Sequence, residues 1–202
     1  MTPYDVIVPA GGAAGRLGGA DKPGLRVGAG TLLDRVLAAC AGAATTVVVG
    51  PSRPTAGGPV RWTREDPPGG GPVAAVAAGL ALVTAEVVLL LAADLPFLDR
   101  RTVHRLVTAL DRGGPDDPEA VLLVDAAGRD QPLAAAYRTT ALRDALAALG
   151  EPAGLPLRRL VAGLRTVRLT DTEGVAYDCD TWEELALARE RDRVESGRSA
   201  RP

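Results

Sequence analysis

Residues 5–25 read DVIVPAGGAAGRLGGADKPGL, and their order decides how the rest of the chain is read. Val6-Ile7-Val8 is a β-branched apolar run that leads straight into Gly11, Gly12, Gly15, Gly18 and Gly19. Such a run ending on glycines reads as a buried strand feeding a loop. The loop closes on Lys22, the one lysine in a chain that otherwise uses arginine as its cation. A retained lysine carries information there, because an ammonium is a compact, strongly hydrated charge and a guanidinium is a planar fork. Bare backbone N–H groups after a first strand, with Arg16 and Lys22 beside them, make an anion cradle. The plainer reading is a flexible βα loop in a chain with 24 glycines. Two familiar phosphate loops are excluded. No set of these glycines has the i, i+2, i+5 spacing of a dinucleotide fingerprint, and Lys22 lies between Asp21 and Pro23 rather than between Gly and Ser or Thr.

Outward from this loop, strand and helix patterns alternate. Thr31 is placed to cap a helix whose Leu32, Leu33, Val36, Leu37 and Cys40 share one face. TTVVV at 45–49 is a strand, and residues 51–72 form a Pro- and Gly-rich loop interrupted near Val60 and Trp62. A helix of small residues follows Pro72. VVLLL at 87–91 is a strand apolar on both faces, as in the middle of a parallel sheet. Asp99 caps a helix bearing Val103, Leu106, Val107 and Leu110. AVLLV at 120–124 and QPLAAAY at 131–137 are strands, 139–149 and 157–164 helices, and RTVRL at 165–169 a strand. A capping-box spacing at Thr181–Glu184 opens a last helix to about Arg193. The pattern predicts an α/β fold: a three-layer αβα sandwich with a mostly parallel, Rossmann-like sheet, in one domain over 1–195, and a disordered polar tail at 196–202. Ligands bind such sheets at the carboxyl ends of the strands, which directs attention to Gly11-Gly12, Asp94 and Asp178-Cys179-Asp180.

Composition narrows the function. The net charge is −2 and aromatic residues are 3%, which argues against a nucleic acid partner. The longest unbroken apolar run, Val87 to Ala93, is too short to span a bilayer. The first residues lack the basic and apolar regions of a secretory signal, and Cys40 and Cys179 are isolated, so a cytoplasmic location is expected. Asp94 leaves a buried strand at the ligand-binding end and requires a cation or donors; a magnesium ion shared with nucleotide phosphates would satisfy it, as would capping of the turn DLPFLD. Asp178 and Asp180 fall on one face of an extended segment. They can share a cation, or Asp180 or Thr181 can cap the final helix. His104 is the sole histidine and has no nucleophile at a recognisable spacing, which excludes a Ser-His-Asp hydrolase. Trp62 and Trp182 read as packing residues, Trp182 with a possible place beside a ligand.

Five stretches in order, PAGGAAGRLGGADKPGL, EDPPGGGPVAA, LLLAADLPFL, GRDQPLAAAYRTTAL and DCDTWEELALA, resemble the MobA-like molybdenum cofactor guanylyltransferase family from about residue 4 to residue 192. The resemblance implies a nucleotide-diphospho-sugar transferase-like fold. It also implies Mg²⁺-dependent transfer of GMP from GTP to molybdopterin cofactor, with pyrophosphate leaving. By position, Pro9, Ala10, Gly11 and Gly12 would hold the nucleotide, and Arg16 and Lys22 its triphosphate. Asp66 matches a nucleotide-contacting residue, Asp94 the magnesium ligand, and Asp178 and Asp180 a polar pair near the metal or the acceptor. Partners implied are the two small-molecule substrates and transient contacts with cofactor-biosynthesis proteins or molybdoenzymes. Four departures stand out: Pro9 for a leucine, Gly50 for a polar residue, Ala75 for a glycine and Trp182 for a proline. Cytidylyl transfer to the same cofactor, guanylyl transfer to another small phosphorylated acceptor, or nucleotide binding without turnover are the alternatives.

Overall fold

The computed structural model describes residues 2–12, 17–111 and 117–199. The chain opens with β1 (Tyr4–Pro9) and passes a short 3-10 turn at Lys22–Gly24. A two-strand ribbon, β2 (Arg26–Val27) and β3 (Gly30–Thr31), leads into α1 (Leu32–Ala39). β4 (Thr45–Val49) and β5 (Arg61–Thr63) follow, then α2 (Gly71–Leu80), β6 (Val87–Leu91) and α3 (Arg100–Leu110). The second half adds β7 (Ala120–Val124), β8 (Asp130–Arg138), α4 (Thr139–Leu149), α5 (Leu157–Val161), β9 (Thr166–Thr170) and α6 (Trp182–Ser199).

Seven strands form one sheet in the order β5-β4-β1-β6-β8-β7-β9. β1 lies parallel to both β4 and β6, while β8 runs antiparallel to its neighbours β6 and β7. The mostly parallel three-layer sandwich expected from the sequence is therefore present, with one refinement. β6 has one parallel and one antiparallel neighbour, because an all-apolar strand records burial of both faces and not the direction of the chains beside it. Alternation along β1 and β6 divides the core. Tyr4, Val6, Val8, Val87, Leu89 and Leu91 pack with α1 and α3, whereas Ile7, Val88 and Leu90 pack with α2, α4 and α5.

Local signals hold where side chains meet nearby backbone. Thr31 and Asp34 form a reciprocal capping box on α1, and Asp99 accepts from Thr102 N–H at 2.7 Å at the start of α3. Thr181, rather than Asp180, pairs with Glu184 to cap α6. That helix runs to Ser199, past the Arg193 end expected and into the region assigned to a polar tail; residues 200–202 lie outside the described residues. Its continuation has a local cause, since Arg191 pairs with Glu195 one turn on. The expected helix at 157–164 is shorter, closing at Val161.

α2 sits unusually close to the sheet at Gly79. A Cβ there would stand 2.5 Å from Ile7 Cγ2, and Ile7 is fully buried and stiff at χ1. Gly79→Ala is therefore expected to destabilise the protein by about 1–3 kcal/mol, the overpacking outweighing the helix-propensity gain of roughly 1 kcal/mol. Urea unfolding followed by circular dichroism checks it; unchanged or increased stability would contradict the close approach.

Candidate active site

From β1 the chain moves outward to β4 and β5 on one side, then returns to β6 on the other. This reversal opens a crevice beyond the carboxyl ends of β1 and β6, where open α/β sheets take ligands. A cavity of about 990 Å³ occupies it, lined by Pro9–Gly12, Lys22, Glu65, Ala75, Asp94, 131–134, Asp178 and Asp180 among others. That volume suits a nucleotide with part of a second substrate.

The glycine loop offers fewer donors than its sequence suggests. Pro9 has no N–H, and the Ala10 N–H is bonded to Val49 O at 2.7 Å, extending the β1–β4 ladder. Gly11 and Gly12 remain as the amide donors of this stretch. Gly50 presses on the same backbone with φ +148°, and a Cβ there would lie 2.9 Å from Ala10 C and Gly11 N. A polar side chain at this position would collide with the loop, which accounts for that departure from the family pattern. Arg53 supports the loop from behind, reaching Ala10 O at 3.4 Å and pairing with Asp21. Sequence reasoning missed this residue, because nothing in the spacing of residues 51–72 distinguishes one arginine there. Arg16 lies outside the described residues.

Lys22 owes its aim to the residue that broke the phosphate-loop pattern. Pro23 is buried and starts the 3-10 turn, with Leu25 N–H closing back on Lys22 O at 3.0 Å. From that turn the ammonium pairs with Asp94, and it donates to Asp180 Oδ1 at 2.5 Å. The Lys22 and Asp94 side chains are 17% and 12% exposed, so the pair is mostly withdrawn from water, whereas Asp180 is 42% exposed. Burial alone would lower the Lys22 pKa; the Asp94 and Asp180 carboxylates outweigh it and raise the ammonium above its ordinary range. Asp94 thus meets a cation, while the turn after it is closed by its own backbone, Leu98 N–H to Leu95 O at 3.3 Å.

Asp178 stands at the mouth of the cavity beside both acids. Lost hydration in the cleft, then the charges of Asp94 and Asp180, push its carboxyl above the usual range. A carboxyl whose pKa rises on folding costs nothing below the unfolded pKa; the cost appears as pH climbs through the raised value and persists at neutrality. Asp178→Asn is accordingly expected to stabilise the ligand-free protein at pH 7, by less than about 1 kcal/mol because the residue faces solvent. Its melting temperature should rise by roughly 1–3 °C at neutral pH and converge with the parent in acid. A lower melting temperature at pH 7 would refute this electrostatic account.

Of the two acids in RED, the structure brings Glu65 into the cavity and leaves Asp66 exposed outside its lining. The reason is the turn that follows: Glu65 Oε1 accepts the Gly69 N–H at 3.0 Å, which draws the first acid inward and turns the second to solvent. No sequence signal separates these neighbours. On the far side the cavity reaches Gln131, whose amide donates to Asp125 Oδ2 at 2.9 Å. His104 is exposed on α3 beside Thr108, Trp62 packs against the core, and Trp182 is 48% exposed outside the cavity lining. Cys40 and Cys179 are buried, with thiol pKa values pushed up to about 12 chiefly by burial. Both stay protonated at neutral pH and offer no nucleophile. No helix among the described residues is long and apolar enough to cross a membrane.

The arrangement can hold a polyanion, with Lys22 and the Gly11-Gly12 amides as donors and the carboxylates of Asp94 and Asp180 paired with the Lys22 ammonium. The family model described as the MobA-like NTP transferase domain matches residues 6–169. A protein of Mesorhizobium japonicum named molybdenum cofactor guanylyltransferase is 32% identical over 152 residues, covering 69% of each chain. Among solved structures, molybdopterin-guanine dinucleotide biosynthesis protein A from Archaeoglobus fulgidus superposes with a TM-score of 0.72 at 20% identity, over 94% of this chain and 99% of that one. A 2-C-methyl-D-erythritol 4-phosphate cytidylyltransferase from Thermus thermophilus gives 0.71 at 24% identity, over 95% and 99%. These likenesses at low identity establish the fold, and the family match over residues 6–169 includes both Lys22 and Asp94: the chain belongs to the MobA-like NTP transferases and is a nucleotidyltransferase.

Proposed function

We propose that this nucleotidyltransferase moves GMP from GTP to a phosphate of molybdopterin cofactor, releasing pyrophosphate. The observation that carries the reading is the meeting of Lys22 with Asp94 and Asp180 at one end of a nucleotide-sized cavity. The curated relative named for this transfer supports the choice of base and acceptor. A phosphate acceptor is already an anion and needs no general base, which suits a cavity without histidine or an activated thiol. The residues then act by position and charge. Gly11 and Gly12 orient the phosphate chain, and Lys22 neutralises charge as the bond from the α-phosphorus to pyrophosphate breaks.

The donor set also fits a magnesium ion. No group of three or more His, Cys, Asp or Glu among the described residues forms a complete metal cage. Magnesium, however, is usually held by one or two carboxylates plus substrate phosphates and water. Asp94 and Asp178 would hold it, and the raised pKa of Asp178 beside Asp94 marks an acidic pair that a cation would relieve. When bound, the ion supplies further neutralisation of the triphosphate. Asp180, with Gln131 and the strand after it, would face the acceptor.

The test incubates the protein with Mg²⁺, one nucleoside triphosphate at a time and molybdopterin cofactor, and follows pyrophosphate. Release with GTP that requires the cofactor is the expected result. Release with CTP in place of GTP would reassign the base. Tight GTP binding with no release would remove the acceptor from the proposal.

A further inference from the structure

Lys22, Asp94 and Asp180 meet in the cavity, and the three segments that carry them meet a second time outside it, on one side chain. Arg35 rises from α1 and is not among the described residues that line the cavity. Its Nε–H donates to Pro96 O at 2.6 Å, in the turn two residues after Asp94. Its Nη1 donates to Val27 O at 3.1 Å, in the β2 strand that follows the Lys22 turn. The same Nη1 donates to Asp192 Oδ1 at 2.7 Å, on the α6 helix that follows Asp180. One guanidinium thus holds one acceptor from each segment, and it has the N–H groups to serve all three at once. Val27 and Pro96 are buried, and the Arg35 and Asp192 side chains are 26% and 16% exposed, so water competes little for these bonds.

A small core, separate from the two that sandwich the sheet, packs at this joint. It buries Val27 beyond Lys22, Phe97 beyond Asp94, Cys179 directly before Asp180, and Leu32 at the start of α1. Leu185 and Ala188 join it from α6, whose Arg189 also donates to Arg26 O at 2.9 Å. Apolar packing draws these segments together but is non-directional, so it leaves small sliding movements open. A guanidinium is a planar fork whose donors point in fixed directions, which makes it the group that sets register among the three. We propose that Arg35 is a positioning residue that fixes the spacing and aim of Lys22, Asp94 and Asp180 without touching substrate. Its effect on rate rests on the transfer reading above; its effect on the geometry of Lys22 does not.

The test begins with Lys22 itself, which as the one lysine gives a single set of side-chain NMR signals in protein labelled with ¹³C-lysine. A side chain held between two carboxylates shows two inequivalent Hε protons, and one released to rotate shows them merged. Arg35→Gln should move these signals and draw the pair together. Asp192→Asn, which frees only α6, should do the same to a smaller extent. In the pyrophosphate assay Arg35→Gln should lower kcat by about 30- to 100-fold, the cost of a small misplacement remote from the chemistry, with KM for GTP within about threefold of the parent. Arg143→Gln is the control for general loosening. It removes a guanidinium bonded to Leu80 O and Val83 O at 3.1 and 2.8 Å, on the other face of the sheet, and should change neither readout. Parental Lys22 signals in both Arg35→Gln and Asp192→Asn would overturn the proposal, as would equal changes in Arg143→Gln. A raised KM at parental kcat would overturn it too, by making Arg35 a support for ground-state binding alone. Lys22 signals that respond to Arg35→Gln in a protein whose parent shows no GTP turnover would uphold the joint and remove the transfer reading.

Discussion

Lys22→Ala is expected to lower turnover by about a hundred- to a thousandfold, the usual cost of removing one preorganised electrostatic donor from a transfer site. On the proposed reading the ammonium neutralises the phosphate chain from the Asp94 end of the cavity, and no other lysine exists to replace it. Its loss also strips Asp94, Asp178 and Asp180 of a shared counter-ion. Their carboxyl pKa values should then rise on folding, so that the variant loses stability relative to the parent as pH climbs from the acid range toward neutrality. Lys22→Arg should rescue the stability difference better than the rate, because a planar fork keeps the charge but not the compact ammonium geometry. Steady-state pyrophosphate release and melting curves at several pH values measure both. Parent-like turnover in Lys22→Ala would dismiss the assignment.

Asp94→Ala carries the other large effect, an expected loss of about a thousandfold or more. Several kcal/mol of charge stabilisation at the phosphates depends on this position, and each 1.36 kcal/mol is about tenfold in rate. The signature that separates it from Lys22→Ala is the metal dependence. Asp94→Ala should need far more Mg²⁺ to reach half its residual rate, whereas Lys22→Ala should keep a near-parental Mg²⁺ requirement. The double variant should lose much less than the product of the single losses, since the two residues contact each other and, in the proposed mechanism, serve one phosphate chain. A parental Mg²⁺ requirement in Asp94→Ala would remove it from the metal site.

The order of the longer strands and helices, both-face burial of β6 and the caps at Thr31, Asp99 and Thr181 were legible in the linear chain, whereas the short strands β2, β3 and β5, the last inside the expected loop at 51–72, were not. Each legible feature depends on side-chain periodicity or on contacts within four residues. The direction of β8 and the length of α6 were not legible either, since both depend on what lies beside an element. The same division runs through the site. Lys22, Asp94 and Asp180 could be singled out as a lone cation and two acids expected at strand ends, but Asp180 stands in the loop between β9 and α6, and the three lie 72 and 86 residues apart along the chain. Their meeting is a product of the crossover that puts β6 beside β1. Pro9 was open to suspicion for its missing donor; Ala10 is bound to Val49 as well, so the cradle narrows to two glycines for reasons of sheet pairing.

RED is the sharpest case. Two adjacent acids have the same chemistry and nearly the same context, and the sequence resemblance implied the second. A single backbone hydrogen bond from Gly69 turns the first one inward. The linear sequence supplies the periodicities, the unusual lysine and the acids at strand ends, because those follow from covalent order and local sterics. Which acids face one another and which amides remain free follow from packing, where residues far apart in sequence compete for the same few ångströms.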